Sequence, residues 1–146
     1  MHLEISDEQL MLREQARGFL AQHCPPAVTR NVLESDADYD AELWQNVAGM
    51  GWMATTIPEQ YGGLGLSYYE LAIIAEELGR VVAPLPFSSS VYLATEAILQ
   101  FGNEQQKAHW LPLLASGEMV ATVAMTERPG QLSEHSISTR FHQNTL

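Results

Sequence analysis

Residues 67–80 read SYYELAIIAEELGR and decide the fold class of this chain. Ser67 and Glu70 have the spacing of a capping box, in which each side chain bonds the backbone N–H of the other residue at a helix start. An apolar stripe follows at helical spacing, formed by Leu71, Ile74, Ala75 and Leu78. Gly79 and two prolines soon after it end the segment. The stretch is therefore predicted to be an amphipathic α-helix.

Four further helices are predicted around this one. They begin at Ser6, near Asp40, at the serine run of residues 88–90 and at Asn103. The first of them opens with an S-x-x-Q capping box and ends at Cys24, which two prolines follow. The serines are expected to cap the fourth helix, and Gly102 is placed to follow its last turn. Pro112 must kink or end the fifth.

The period of the sequence changes at Val120. From there to Thr126 the residues read VATVAMT, an alternating run that is rich in β-branched residues and typical of a strand. Residues 136–141, SISTRF, are a weaker candidate for a second strand, and two strands do not form a stable sheet on their own. We therefore predict a mainly α protein. A helical bundle domain spans residues 1–119, and 120–146 are the truncated beginning of a β-domain with one or two strands.

The composition excludes several classes of function. The 146 residues include 18 acidic and only 7 basic side chains, which gives a formal charge of −11. Nucleic acids and anionic membrane surfaces are bound by clustered cations, so neither is an expected partner. No apolar run approaches the roughly 20 residues that a membrane span requires. The N-terminus has acidic residues where a signal peptide is basic, which favours a cytoplasmic location.

Metal and phosphate sites find no support in the sequence. The single cysteine, Cys24, rules out a multi-cysteine metal site, and the five histidines lack the spacing of metal ligands. The glycine-rich residues 58–67 lack the Lys-Ser/Thr pair of a phosphate loop and are predicted to form a structural turn. Glu76 and Glu77 are adjacent on a helix and point about 100° apart, so we interpret both as solvated. The three tryptophans lie in apolar patterning and are expected in the core.

Four motifs occur in an order that points to a known family. They are IPEQYGGLG at 57–65, EELGR at 76–80, GNEQQK at 102–107 and VAMTE at 123–127. Each motif is weak alone, but together they make roughly residues 5–134 resemble the N-terminal part of the acyl-CoA dehydrogenases. The resemblance implies an N-terminal helical domain, a middle β-domain and a C-terminal four-helix domain, with FAD between the last two. It also implies that this chain is a fragment of a longer protein.

The chemistry that the resemblance implies is α,β-dehydrogenation of an acyl-CoA thioester to the trans-2-enoyl-CoA. Electrons then pass to an electron-transfer flavoprotein, and the enzyme is expected to be a homo-oligomer. In this family the glutamate that removes the α-proton lies in the C-terminal domain. No catalytic residue is therefore assigned in this chain, and the chain alone is predicted to be inactive.

The resemblance also assigns cofactor residues along VAMTERPGQLSE at 123–134. The backbone of Val123, Ala124 and Met125 would run along the flavin, and the hydroxyl of Thr126 would meet the pyrimidine side of the ring. Ser133 matches a serine that contacts the pyrophosphate of the cofactor and the CoA end of the substrate. The chain departs from the family pattern here, because Arg128 is inserted and Leu132 replaces a glycine.

The helix after the serine run corresponds to the helix that walls the acyl pocket in the family. Ser89, Tyr92 and Leu93 fall at positions that would line this pocket. Ordinary capping by Ser89 and helix packing by Leu93 are equally compatible with the sequence.

Other functions remain open at this point. Within the superfamily, the chain could belong to an acyl-CoA oxidase, a flavin monooxygenase relative or a non-catalytic partner subunit of a heteromeric dehydrogenase. A helical interaction module without enzymatic activity is a third class. A placed glutamate in downstream helices would support the dehydrogenase, its absence the partner subunit, and a stop codon after Leu146 the interaction module.

Overall fold

The structure of the chain, a computed structural model, describes residues 5–124, 127 and 137–139, and this part of the chain is helical. Six α-helices occur in it: α1 Asp7–His23, α2 Pro26–Leu33, α3 Ala41–Gly49, α4 Tyr68–Arg80, α5 Glu96–Phe101 and α6 Glu104–Ala115. A π-helix over Ser88–Thr95 runs directly into α5, and two short 3₁₀ turns, Trp52–Ala54 and Glu59–Tyr61, connect α3 to α4. The predicted helical class is confirmed.

The helices that have a capping signal in the sequence begin at the residues where that signal predicts a start. At α1, the Ser6 hydroxyl accepts from Gln9 N at 3.2 Å and the Gln9 amide oxygen accepts from Ser6 N at 3.1 Å. Asn103 and Gln106 make the same reciprocal pair at α6, with both distances 2.9 Å. Ser67 caps α4 in a third box. Such pairs satisfy N–H groups that otherwise have no partner in the first turn.

Two details differ from the sequence prediction, and at Pro112 one of the two predicted outcomes is excluded. The helix α2 was not predicted; it begins with Pro26 in its first turn and has no side-chain cap. The serines at 88–90 do not cap a helix but lie inside the π-helix, whose N-cap is Phe87. Pro112 does not end α6, which continues to Ala115.

The core consists of two clusters. The larger one joins α1, α3 and α4 and includes the predicted positions Leu43, Trp44, Leu71 and Ile74, all of which are buried. The smaller one joins the first 3₁₀ turn to α6 through Ile57, Leu111 and Leu114. Trp44 and Trp52 are buried as expected, whereas Trp110 is 37% exposed, so its assignment to the core was wrong.

The two adjacent glutamates of α4 have different surroundings. Glu76 is exposed, as predicted, but Glu77 is only 1% exposed. The carboxylate of Glu77 accepts two hydrogen bonds from Arg17 of α1, at 2.7 and 3.1 Å, and one from Arg80 at 3.1 Å. These bonds lower the pKa of Glu77, the one from Arg17 most of all, although burial opposes the shift. A surface assignment for Glu77 was therefore wrong.

Residues 120–124 and 137–139 form no β-ladder in the structure. A strand exists only through hydrogen bonds to a neighbouring strand, and the described residues provide none beside this segment. The remainder of the predicted strand, Met125 and Thr126, lies outside the described residues. The division into domains at residue 119 therefore stays a prediction.

Candidate functional site

The predicted acyl-pocket residues lie on the π-helix. In this helix each hydrogen-bonded turn spans one residue more than in an α-helix. This geometry is rare overall but is found frequently at functional sites. The hydroxyl of Thr95 follows the same wide spacing and donates to the carbonyl of Ser90 at 2.9 Å. This hydrogen bond stabilises the wider turn where the π-helix continues into α5.

A cavity of about 330 Å³ lies between α4, the loop that follows it, and the start of the π-helix. Its lining is mostly apolar and consists of Ala75, Leu78, Gly79, Val82, Ala83, Leu85, Phe87, Ser88 and Tyr92. The volume is at the lower end of the range of small-molecule sites, about 300–1,000 Å³.

One of the three residues predicted to line an acyl pocket borders this cavity. Tyr92 does so, with its ring packed edge-on against Phe87 at a centroid distance of 5.5 Å. Burial raises the pKa of the Tyr92 phenol, so it stays neutral. Ser89 and Leu93 do not line the cavity. The Ser89 hydroxyl donates to the carbonyl of Pro86 at 3.0 Å, and Leu93 is 41% exposed.

Val82 borders the cavity and was missed by the sequence analysis. Its φ is +51°, in the left-handed region that a β-branched residue rarely adopts. The conformation is held from both sides, because the Val82 carbonyl accepts from the Thr29 hydroxyl and the Val82 N–H donates to Gly79 O, each at 3.1 Å. Strain of this kind clusters at ligand sites. No signal in the sequence marks it, since a valine does not indicate a positive φ.

A second candidate region is the segment that leaves α6. Among the described residues, the peptide groups of 122–124 make no hydrogen bond, although Val123 is half-buried. That the backbone of Val123 and Ala124 runs along a flavin ring stays a prediction. Of the other predicted cofactor residues, Met125, Thr126 and Ser133 lie outside the described residues.

Beyond this segment, the carboxylate of Glu127 accepts hydrogen bonds from residues that lie 11 and 12 positions later in the chain. Its carboxylate accepts from the backbone N–H groups of Ser138 and Thr139, each at 2.6 Å, and from the Ser138 hydroxyl. These bonds, the one from the Ser138 side chain most of all, lower the pKa of Glu127 to about 2. The carboxylate therefore closes a loop between residues 127 and 138 at neutral pH.

The fold can be placed among known proteins. Residues 6–118 match the family model of the acyl-CoA dehydrogenase N-terminal domain. The chain belongs to the acyl-CoA dehydrogenase family. An acyl-CoA dehydrogenase of Bacillus subtilis is 32% identical over 127 residues, which make up 86% of this chain and 33% of that relative. The chain spans about a third of the length of the curated relatives it matches.

Solved structures of the family show the same helical arrangement. The ChsE4-ChsE5 complex from Mycobacterium tuberculosis contains a chain with a TM-score of 0.80 and 26% identity, matched over 90% of this chain and 36% of that one. An acyl-CoA dehydrogenase from Bacillus anthracis, solved in complex with FAD, has a TM-score of 0.74 and 30% identity, over 88% of this chain and 22% of that one. In the described part of this acyl-CoA dehydrogenase chain, no helix is long and apolar enough to cross a membrane.

Proposed function

We propose that this chain forms the N-terminal helical domain of a flavin-dependent acyl-CoA dehydrogenase that acts in the cytoplasm. The reaction converts an acyl-CoA thioester to the trans-2-enoyl-CoA and delivers two electrons to an electron-transfer flavoprotein. The observation that carries the proposal is the match of residues 6–118 to the N-terminal domain of the family. A cavity bordered by Tyr92 beside the helix predicted to wall the acyl pocket supports it. Since the relatives are about three times longer, this domain supplies one part of the machinery.

The part that this domain would supply is one side of the pocket for the acyl chain. Leu78, Leu85 and Phe87 present apolar surface to the cavity, and the phenol of Tyr92 stays neutral beside them. Removal of water strengthens every electrostatic interaction near the reacting carbons, which a weak carbon acid requires for loss of its α-proton. The base for this proton is expected in a part of the enzyme outside these residues.

The cofactor is expected to lie along the backbone of residues 122–124. When bound, FAD accepts the hydride from the β-carbon. Val123 and Ala124 would hold the ring edge through their peptide groups, and Thr126 would add a hydroxyl donor at the pyrimidine side. Ser133 would contact the pyrophosphate and the CoA end of the substrate.

The test uses the polypeptide that the whole open reading frame encodes. Purified with FAD, it should be yellow and should reduce a dye acceptor with at least one member of a panel of straight-chain, branched and ring-bearing acyl-CoA thioesters. The 146-residue chain, supplied with FAD, should show no turnover. A whole-frame protein that neither binds flavin nor turns over any thioester of the panel would contradict the proposal.

A second candidate is a non-catalytic partner subunit of a heteromeric dehydrogenase. The likeness to the ChsE4-ChsE5 complex, which joins two different chains, favours it over the remaining alternatives. In this case the whole-frame protein would be inactive alone and would copurify with a second chain of the same family. Restored turnover after mixing the two chains would identify it.

A further inference from the structure

Residues 117–121 leave the helical domain along a path that three hydrogen bonds fix. The carbonyl of Gly117 accepts from the indole N–H of Trp44 at 2.9 Å in a buried position. The N–H of Met119 donates to the carbonyl of Leu113 at 3.2 Å. The N–H of Ala121 then reaches the hydroxyl oxygen of Ser90 at 3.5 Å, a long bond at the end of the path.

Gly117 gives this path its direction. Its φ is +72°, and a Cβ there would lie 2.8 Å from the sulfur of Met53 and 2.9 Å from the Cβ of Ala48. Only glycine combines this backbone conformation with so close an approach. The chain therefore leaves α6 in one direction, and two residues after Met119 its backbone reaches the hydroxyl of Ser90.

Ser90 is itself held in place. It is 2% exposed, its N–H donates to Pro86 O at 3.1 Å, and its carbonyl accepts from the Thr95 hydroxyl at 2.9 Å. Because both backbone groups are engaged, the hydroxyl sits at a defined position on the π-helix. The same helix carries Tyr92 at the wall of the cavity.

We propose that Ser90 is a positioning residue that ties the segment before the flavin-facing residues to the helix that walls the acyl pocket. The inference rests on the proposed function and deepens it. Hydride transfer depends steeply on the distance between the acyl β-carbon and the acceptor, and the two are held by different segments of this chain. The bond from Ala121 to Ser90 links these segments directly, so it sets the position of one relative to the other.

The link can be tested on the 146-residue chain by amide hydrogen exchange. In Ser90→Ala, the ratio of the Ala121 exchange rate to the Met119 exchange rate should rise by about three- to tenfold, the range for loss of one hydrogen bond. Met119 is held by Leu113 instead, so a general loss of stability accelerates both amides and leaves the ratio unchanged. Ser89→Ala removes the neighbouring hydroxyl, which bonds Pro86, and should also leave the ratio unchanged.

A second variant keeps the test usable if Ser90→Ala does not fold. Ser90→Cys keeps nearly the same volume and offers a weaker acceptor, so its ratio should lie between those of wild type and Ser90→Ala. A wild-type ratio in Ser90→Ala, or in Ser90→Cys where Ser90→Ala does not fold, would overturn the link.

The consequence for catalysis is measured separately on the whole-frame dehydrogenase. Ser90→Ala should shift the flavin absorbance bands and lower the rate of flavin reduction by about tenfold, an effect typical of displaced reactants. An unchanged spectrum and rate in an active enzyme would overturn the positioning role. A whole-frame protein without flavin would instead contradict the proposed function, while a changed exchange ratio would leave the link of Ser90 to Ala121 standing.

Discussion

At the scale of single residues, Val82 holds a conformation that opposes folding. A left-handed backbone at a β-branched residue costs about 1–3 kcal/mol, whereas glycine adopts it freely. The Val82 side chain is 67% exposed, so its removal loses little packing. Glycine also raises the entropy of the unfolded chain, at a cost of about 0.5–1 kcal/mol. We expect Val82→Gly to raise the free energy of unfolding by about 1 kcal/mol, as measured by urea denaturation.

The neighbouring valine is the matched control. Val81 has an ordinary φ of −97° and packs against the larger core cluster. Val81→Gly should therefore destabilise the protein, because it loses packing and relieves no strain. A loss of stability in Val82→Gly as large as that in Val81→Gly would contradict the interpretation of Val82 as strained.

The carboxylate of Glu127 predicts a pH dependence of the loop contact. Its pKa in the folded chain is about 2, below the ordinary value of 4.5, because it accepts bonds from Ser138 and Thr139. A depressed pKa means that the contact stabilises the loop fully above pH 4.5, and that this stabilisation is lost as the pH falls through 2. The amide resonances of Ser138 and Thr139 should titrate together with a midpoint near pH 2. In Glu127→Gln they should not titrate in this range, and a midpoint near 4.5 in the wild type would argue against the contact.

Thr126 is the residue whose flavin role is most open to direct measurement in the whole-frame enzyme. A hydroxyl donor at the pyrimidine side stabilises the negative charge that develops there during reduction. Thr126→Val keeps the β-branched shape and removes only the donor, so FAD should still bind. A hydrogen bond to a charged group contributes about 1.5–3 kcal/mol, so the reduction rate should fall roughly ten- to a hundredfold. Stopped-flow reduction measures it, and an unchanged rate would leave Thr126 with a purely structural role.

At the scale of elements, the buried carboxylate of Glu77 adds an ion pair to the apolar contacts between α1 and α4. Loss of a partner from a buried ion pair costs about 3–5 kcal/mol when the charge is left alone. Glu77 retains Arg80 when Arg17 is removed, and the Arg17 side chain is 52% exposed, which weakens its contribution. We therefore expect Arg17→Ala to lower the free energy of unfolding by about 2 kcal/mol in urea denaturation.

A matched control lies on α2. The described residues show no ion pair for Arg30, so Arg30→Ala should change the free energy of unfolding by less than about 0.5 kcal/mol. The loss in Arg17→Ala should also shrink as the pH falls through the lowered pKa of Glu77, because the protonated acid no longer needs a cation. Equal effects of the two substitutions at neutral pH would contradict a stabilising role for the pair.

The sequence predicts those helices whose first turn is capped by side chains within that turn. Ser6 with Gln9, Ser67 with Glu70 and Asn103 with Gln106 each satisfy the first turn by themselves, and all three helices begin there. The helix α2 has a proline in its first turn and no capping side chain, so its start carries only a weak signal. The π-helix is beyond such reasoning, because the extra residue per turn becomes favourable only through tertiary contacts.

At the scale of the molecule, the site was predictable only in part. The motifs from IPEQYGGLG to VAMTE indicated the family, and the resemblance predicted which helix would wall the acyl pocket. Of the three residues chosen on this helix, only Tyr92 borders the cavity, and the π-helical turn there was not predicted. Val82 has a strained backbone, and Ser90 contacts a residue 31 positions later in the chain. Neither feature leaves a pattern in the sequence.

The surface of the whole chain carries a groove that we expect to join two copies. Ala97, Ile98, Phe101, Trp110, Met119 and Ala121 line it; Phe101 is 88% exposed and Trp110 is 37% exposed. An apolar patch of this kind favours association in water. The 146-residue chain should therefore self-associate at high micromolar concentration, and Phe101→Asp should return it toward the 16.2 kDa monomer, as followed by light scattering. Leu33→Asp, which removes a 79% exposed leucine that does not border the groove, should leave association unchanged. A monomeric wild type across the whole concentration range would show that this groove does not bind a second copy.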